Sequence, residues 1–287
     1  NVHLKHRGTL LVTDSLNYDK LYDLGYFFDG GKLYDGKNTL VSDWGEYSPQ
    51  TREAVFNYHV KLTNERFTLT SDTLHYNTLT KITHIVGPSN INSDGNRIYT
   101  ERGYYDTAKD YAELFDRSVV INGKSTMTGD SMYYDKKNGK MHAYNNIVYN
   151  DKGNKNLLTG DYCEYDDTTG YAMATKNAVV RDYSSPDTLF MHADTFKIFT
   201  YNIRTDSVYR LVHGYHKARA FRSDVQSVCD SLKYDSKNKK MTMYGNPIVW
   251  NNNQQLLGEE IQVFMCDSTI DSVHVIRQAL LAQQLDS

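Results

Sequence analysis

Apolar residues alternate with polar ones along this chain, and the alternation returns in blocks of about thirty residues. The stretch "TGDSMYYDKKNGKMHAYNN" (128–146) is nearly rewritten thirty-one residues later as "TGDYCEYDDTTGYAMATKN" (159–177). Aligning on an acid that precedes an aromatic by four gives Asp14/Tyr18, Asp43/Tyr47, Asp72/Tyr76, Glu101/Tyr105, Asp130/Tyr134, Asp161/Tyr165, Asp194/Ile198, Asp230/Tyr234 and Glu260/Phe264. The intervals are 29, 29, 29, 29, 31, 33, 36 and 30, so nine copies fill the chain. A period of this size marks a repeat architecture, in which units that cannot bury their own apolar faces stack into a continuous interior.

Each unit predicts a strand, a turn and a second, bent strand. Two residues after the acid the chain is mostly apolar (Leu16, Leu74, Met132, Cys163, Phe196, Leu232), with Gly45, Gly103 and Gln262 as exceptions. Acid, apolar residue and aromatic share one parity and are expected on one face of a strand. Polar stretches such as "DKKNGK" and "DDTTG" follow, with the Asn, Asp and Gly that tight turns favour. Eleven and thirteen residues after the acid the pattern is again apolar or small: Gly25/Phe27, Ala54/Phe56, Thr83/Ile85, Ala112/Leu114, Met141/Ala143, Ala172/Ala174 and Met241/Met243. The long interval after Asp194 requires a longer turn in that unit. "YNNIVY", "TKNAVV", "YGNPIV" and "IVGPSNI" then place Gly or Asn where a bulge would let the sheet turn a corner. This corner weakens to "FNYHVKL" in the second unit and "LVHGYHKA" in the seventh.

Composition reinforces an all-β reading. Of 287 residues 24 are Tyr and only 4 are Pro, a bias that suits pleated, half-exposed strands. A net charge of -3 with both signs interspersed leaves no basic stripe for nucleic acid. No run approaches the roughly 18–20 apolar residues of a spanning helix. Cys163, Cys229 and Cys266 form no CxxC pair and read as small buried hydrophobes. The opening Asn1-Val2-His3-Leu4-Lys5-His6 has no apolar secretory segment, as a processed chain or a fragment also would not.

The chemistry on offer is sparse. His213 and His216 are a close His pair, and a strand spacing of three points them to opposite faces. No HExxH or GxSxG is present, and no cofactor or metal is expected. The acid column is expected at strand ends, structural rather than catalytic, since adjacent carboxylates about 4.8 Å apart would repel. The tyrosines carry a ring to bury and a hydroxyl that needs a partner. The interior column mixes Leu, Met, Phe, Ile, Ala and Gly, and two readings stay open: these side chains pack against one another, or they leave a slot for an apolar guest.

The units "LLTGDYCEYDDTTGYAMATKNAVV", "TMTGDSMYYDKKNGKMHAYNNIVY" and "SVCDSLKYDSKNKKMTMYGNPIVW" resemble the repeats of the OstA-like (organic solvent tolerance) family, over residues 8 to 275. The resemblance implies an elongated, open β-jellyroll of antiparallel strands in the periplasm, within the lipopolysaccharide transport bridge that ends in outer-membrane assembly. It implies an interior that accepts the acyl chains of lipopolysaccharide, and docking to other jellyroll proteins, or to further copies head to tail, through terminal edge strands. The expected organisation is a single repetitive domain over 1–287, with 276–287 leading toward a tenth unit that would begin at Asp286-Ser287.

The function expected on these grounds is non-enzymatic: a lipopolysaccharide carrier or bridge segment. The residues expected to line the lipid path are Leu16, Phe27, Phe56, Leu74, Ile85, Leu114, Met132, Met141, Cys163, Phe196, Leu232, Met241 and Met243. Two rivals remain at this stage. One is a structural or adhesion solenoid with a filled core, and the other a carbohydrate-active parallel β-helix, which would concentrate its acids in a few coils instead of repeating one in every unit.

Overall fold

The computed structural model describes residues 2–284 apart from 94, 154, 185, 267 and 268; the start of a tenth unit at Asp286-Ser287 lies outside the described residues. The described strands pair antiparallel throughout, and their contacts divide the chain into two compact units, Asn1–Asn138 and Gly139–Ser287. A parallel β-helix, whose strands run parallel, is thereby corrected to an antiparallel, open jellyroll.

In the N-terminal unit the long strands are Glu53–Thr63, Thr68–Asn77, Ile82–Ser93, Asn96–Asp106, Tyr111–Asn122 and Ser125–Asp135. Shorter strands precede them, with Val2–His6, Thr9–Thr13, Gly31–Asp35 and Asn38–Ser42 in one half-sheet and Asn17–Asp19, Leu24–Phe27 and Trp44–Tyr47 in the other. The C-terminal unit opens with Lys140–Asp151, Asn156–Asp166, Tyr171–Asp182 and Leu189–Tyr201, and then continues in shorter pieces to Leu280–Gln283.

Each long strand turns a corner near its middle. The ladder skips there, between Asn57 and Val60, Phe115 and Ser118, Tyr144 and Ile147, or Thr175 and Ala178. The skipped residues are a pair with positive φ, such as Asn145-Asn146 and Lys176-Asn177. The corner therefore divides every strand into a tyrosine arm, carrying the repeat aromatic, and a far arm beyond it. Stacked, the two sets of arms make two half-sheets that face each other across an interior.

The weak corners of the second and seventh units bend all the same. Tyr58-His59 and His216-Lys217 take positive φ without Gly or Asn, although that conformation costs an L-residue about 1–2 kcal/mol. Paired arms on both sides impose it, and the freed carbonyls of Tyr58 and His216 accept backbone bonds from Asp43 and Asp194 at 3.1 Å each.

The acids occupy these corners: Asp14, Asp43 and Asp230 stand at strand ends as expected, whereas Asp72, Glu101, Asp130, Asp161 and Asp194 lie within long strands. Asp43 meets His59 Nδ1 at 2.7 Å, Asp161 accepts from Asn177 Nδ2 at 3.0 Å, and Arg117 lies 3.6 Å from Asp130. These three acids answer the left-handed pair of a neighbouring strand, and because the bulge intervenes they point outward while the residues two and four later point in. In the ninth unit the expected register is wrong by one. Ile261 and Val263 pair with Met243 and Met241 and are buried, Glu259 meets Arg277 at 3.2 Å, and Gln262 and Phe264 lie on the outer face. The long turn expected after Asp194 is found between Leu189–Tyr201 and Tyr209–Tyr215.

Candidate functional site

Two ranks of side chains line the interior on each arm, one beside the corner and one nearer the mouth between the half-sheets. In the N-terminal unit the corner rank of the tyrosine arms is Phe56, Leu74, Ile85 and Leu114, joined by Met132 and Phe27, all essentially without solvent contact. The mouth rank is just as closed: Ala54, Tyr76, Thr83, Tyr105 and Ala112 on the tyrosine arms, and Leu62, Leu69, Ile91 and Ile98 on the far arms. Two of the exceptional glycines are explained here. A Cβ on Gly45 would stand 2.6 Å from Phe27 Cζ, and one on Gly103 would stand 2.4 Å from the Glu113 carbonyl oxygen. Leu16 lies outside the strands, half-buried against Gly25.

A polar network spans the mouth of this unit. Asp35 on a far arm accepts from Tyr76 Oη at 2.7 Å and from Lys81 Nζ at 2.5 Å. Asn38 Nδ2 donates to Tyr76 Oη and to Thr107 Oγ1, both at 2.8 Å, and Asn64 holds the Asn38 amide oxygen at 2.7 Å. Arg66 reaches Asp110 at 3.2 Å and the Thr107 carbonyl at 3.2 Å, Tyr105 donates to Asp110, and Lys136 donates to Ser93. Phe67 packs on Tyr105 with centroids 4.6 Å apart. Burial, and after it the bonds to Asp35 and Asp110, raise the Tyr76 and Tyr105 phenols well above their ordinary range, so both remain neutral donors.

The C-terminal unit is lined differently. Its corner rank is small: Ala143, Cys163, Ala174 and Gly214 on the tyrosine arms and Gly160, Ala178, Ala193 and Ala218 on the far arms, all buried. Ile147, Phe196, Leu232 and Ile261 are the large members, and Gly214 makes room for two of them, since a Cβ there would lie 3.0 Å from the Phe196 ring and 3.2 Å from Leu232 Cγ. Met243 is buried beside Leu232, while Met141 and Met241 stand one rank out and are half-buried. Ile198, Val212 and Tyr234 continue that rank, and Leu158, Val180 and Met191 face it from the far arms, all half-buried. Tyr165 is 42% exposed, whereas Tyr105 at the same repeat position in the first unit is 5% exposed. The result is an apolar groove with a floor of small residues and half-open walls. Desolvation at that floor pushes the Cys163 thiol up to about 12 and the Cys229 thiol up to about 11.

Sequence reasoning found the corner rank but missed the small-residue floor as a distinct feature, along with the polar network at the mouth. The floor was legible in Ala143 and Ala174. The network residues Asp35 and Asn38 stand at strand ends and Asn64 and Arg66 between strands, where polar residues carry no periodic signal. His213 meets Phe199 edge to face on the outer face and bonds Tyr215 Oη at 3.0 Å, and His216 lies at a corner 3.7 Å from Asp230. Among the described residues no group of three His, Cys, Asp or Glu converges.

An all-β jellyroll built of bent antiparallel repeats, with a groove between its half-sheets, is the class this architecture defines. Residues 1–72 match the family model described as OstA-like protein, in agreement with the repeat resemblance. Among solved structures the chain is similar to LptH from Pseudomonas aeruginosa, described as the LptA homologous periplasmic component of the conserved lipopolysaccharide transport device. That similarity has 15% identity and a TM-score of 0.34, over 56% of this chain and 95% of that one. No curated protein matches.

Proposed function

We propose that this chain is a non-enzymatic lipopolysaccharide carrier or bridge segment of the periplasm, which shields acyl chains in its interior on the way to the outer membrane. The observation that carries the reading is the groove of the C-terminal unit, where Met141, Ile198, Val212 and Met241 stand half-open above a floor of Ala, Gly and Cys. Burying a methylene there is worth about 0.8 kcal/mol, so a long acyl chain is held without directional chemistry. The OstA-like match of residues 1–72 supports the same reading. Terminal strands fit it too: among the described residues Val2–His6 and Leu280–Gln283 each pair on one side, and such edges can add a strand from another jellyroll protein or a further copy of this chain.

Met141→Asp places a charge on a wall position that solvent already reaches, so the fold tolerates it. The expected outcome is loss of co-purifying lipopolysaccharide with unchanged circular dichroism; full retention would refute the groove as the lipid path. The packed solenoid is the second reading, and the filled interior of the N-terminal unit favours it there.

A further inference from the structure

We infer that the N-terminal unit is latched against acyl chains, so that the lipid site of this chain is confined to the groove of Gly139–Ser287. The inference rests on the lipid-carrier reading proposed above and assigns that function to one of two interiors built from the same repeat.

The bonds of Asp35 to Tyr76 and Lys81 and of Arg66 to Asp110 join far-arm ends to tyrosine-arm ends across the mouth. Asp35 sits after the far-arm residue Leu33, and its partners Tyr76 and Lys81 flank a turn of the opposite half-sheet. Arg66 and Asp110 repeat the arrangement one unit further on. The Asp35 side chain is 5% exposed and that of Asp110 is also 5% exposed, which is tolerated because each carboxylate is met by a cation and a phenol. Beneath these bonds Leu62, Leu69, Tyr76 and Tyr105 are buried, with Phe67 set against Tyr105, while Val120 and Tyr134 on the last strands of the unit are half-buried. An acyl chain would have to part the polar bridges and displace side chains already packed. In the C-terminal unit most of the mouth rank is half-buried, and Tyr165 is open to solvent where Tyr105 is bonded and covered.

Photoleucine and photomethionine, incorporated throughout the chain in place of Leu and Met, report on both interiors in one sample. The chain is mixed with purified lipopolysaccharide, irradiated, and the adducts are mapped by mass spectrometry. Adducts are expected at Met141, Leu158, Met191 and Met241 and not at Leu62 or Leu69. A mouth open in about one molecule in a hundred lowers occupancy there about a hundredfold. Adducts at Leu62 or Leu69 as abundant as those at Met141 overturn the confinement while leaving the carrier reading intact. No adduct anywhere on folded protein overturns the carrier reading, and this inference with it.

Removing the latch with Asp35→Ala and Arg66→Ala together is expected to bring adducts to Leu69. Trp44 fluorescence reports whether the unit stays folded. If that pair unfolds it, Tyr76→Phe with Lys81→Met preserves volume while cutting the Asp35 bridges. A folded, latch-free unit that still takes no lipid shows that packing alone closes it and overturns the latch.

Discussion

Replacing Gly45 with Ala tests whether the aromatic core of the N-terminal unit is assembled as the structure places it. Phe27 is wholly buried, and its ring tip is held between two glycines, with a Cβ at Gly31 or at Gly45 falling 2.6 Å from Cζ. A methyl on Gly45 would also stand 2.8 Å from Phe27 Cε1 and 3.0 Å from Phe56 Cδ1. Neither ring has free space to enter, so the substitution overpacks the core at about 1–3 kcal/mol. Replacing a strand glycine returns about 0.5–1 kcal/mol of backbone entropy, which leaves a net loss of about 1–2 kcal/mol. Phe27→Leu alone leaves a void and costs about 1–2 kcal/mol by the core-truncation scale. In the double variant the new methyl enters the space the ring vacated, so the two losses should fall short of their sum by about 1 kcal/mol or more. Urea unfolding followed by Trp44, the neighbour of Gly45, measures this once Trp250→Phe leaves it as the sole indole. The quantity compared is the shift in midpoint at unchanged slope. Losses that add within about 0.3–0.5 kcal/mol would refute the slot, because uncoupled sites behave that way.

Tyr76→Phe removes a hydroxyl that receives Asn38 and donates to Asp35 in a buried network, and should destabilise the N-terminal unit by about 1–3 kcal/mol in the same urea assay, while Trp250 of a Trp44→Phe chain, which reports the other unit, stays unmoved. Tyr58→Gly should stabilise by up to about 1 kcal/mol, since Tyr58 is 65% exposed at φ 64 and buries nothing to offset its left-handed backbone; a loss on thermal melting would show that the ring matters. Cys163 should resist thiol reagents at pH 8 while the exposed Cys266 reacts, as counted by mass spectrometry. The Cys163 thiol is raised from 9.0 to about 12 on folding, so its contribution is fully present below pH 9 and is lost as pH climbs toward 12. The midpoint of the parent chain should therefore fall faster over that window than that of Cys163→Ala, and parallel curves would sink the assignment.

The sequence by itself determined the repeat, the antiparallel-compatible strand-turn-strand unit and the inward-facing column, because a period of two within a period of thirty leaves one way to bury the apolar set. Leu74, Ile85, Leu114 and Phe196 face inward as the alternation requires, and Asn145-Asn146 bends where the sequence placed a corner. The resemblance to OstA-like repeats was read from units between 126 and 250, and the family model described as OstA-like protein matches residues 1–72. The register of the ninth unit was not legible, since Glu259 and Glu260 offer the same letter twice and only pairing with Met241 and Met243 chooses between them. The acids within long strands were misplaced for a related reason: a bulge removes residues from the ladder, and parity counted through it no longer reports the face.

Only the tertiary structure decided which interior is filled and which is open. Tyr105 and Tyr165 hold the same place in the repeat and read identically. One is covered because Phe67 and Asp110 reach it from across the mouth and from the adjoining turn, and the other is left to solvent above a floor of Ala and Gly. Those partners lie tens of residues away or in turns without periodicity. Whether a slot exists depends on the summed volume of side chains that meet only when two half-sheets close, a quantity no local pattern encodes.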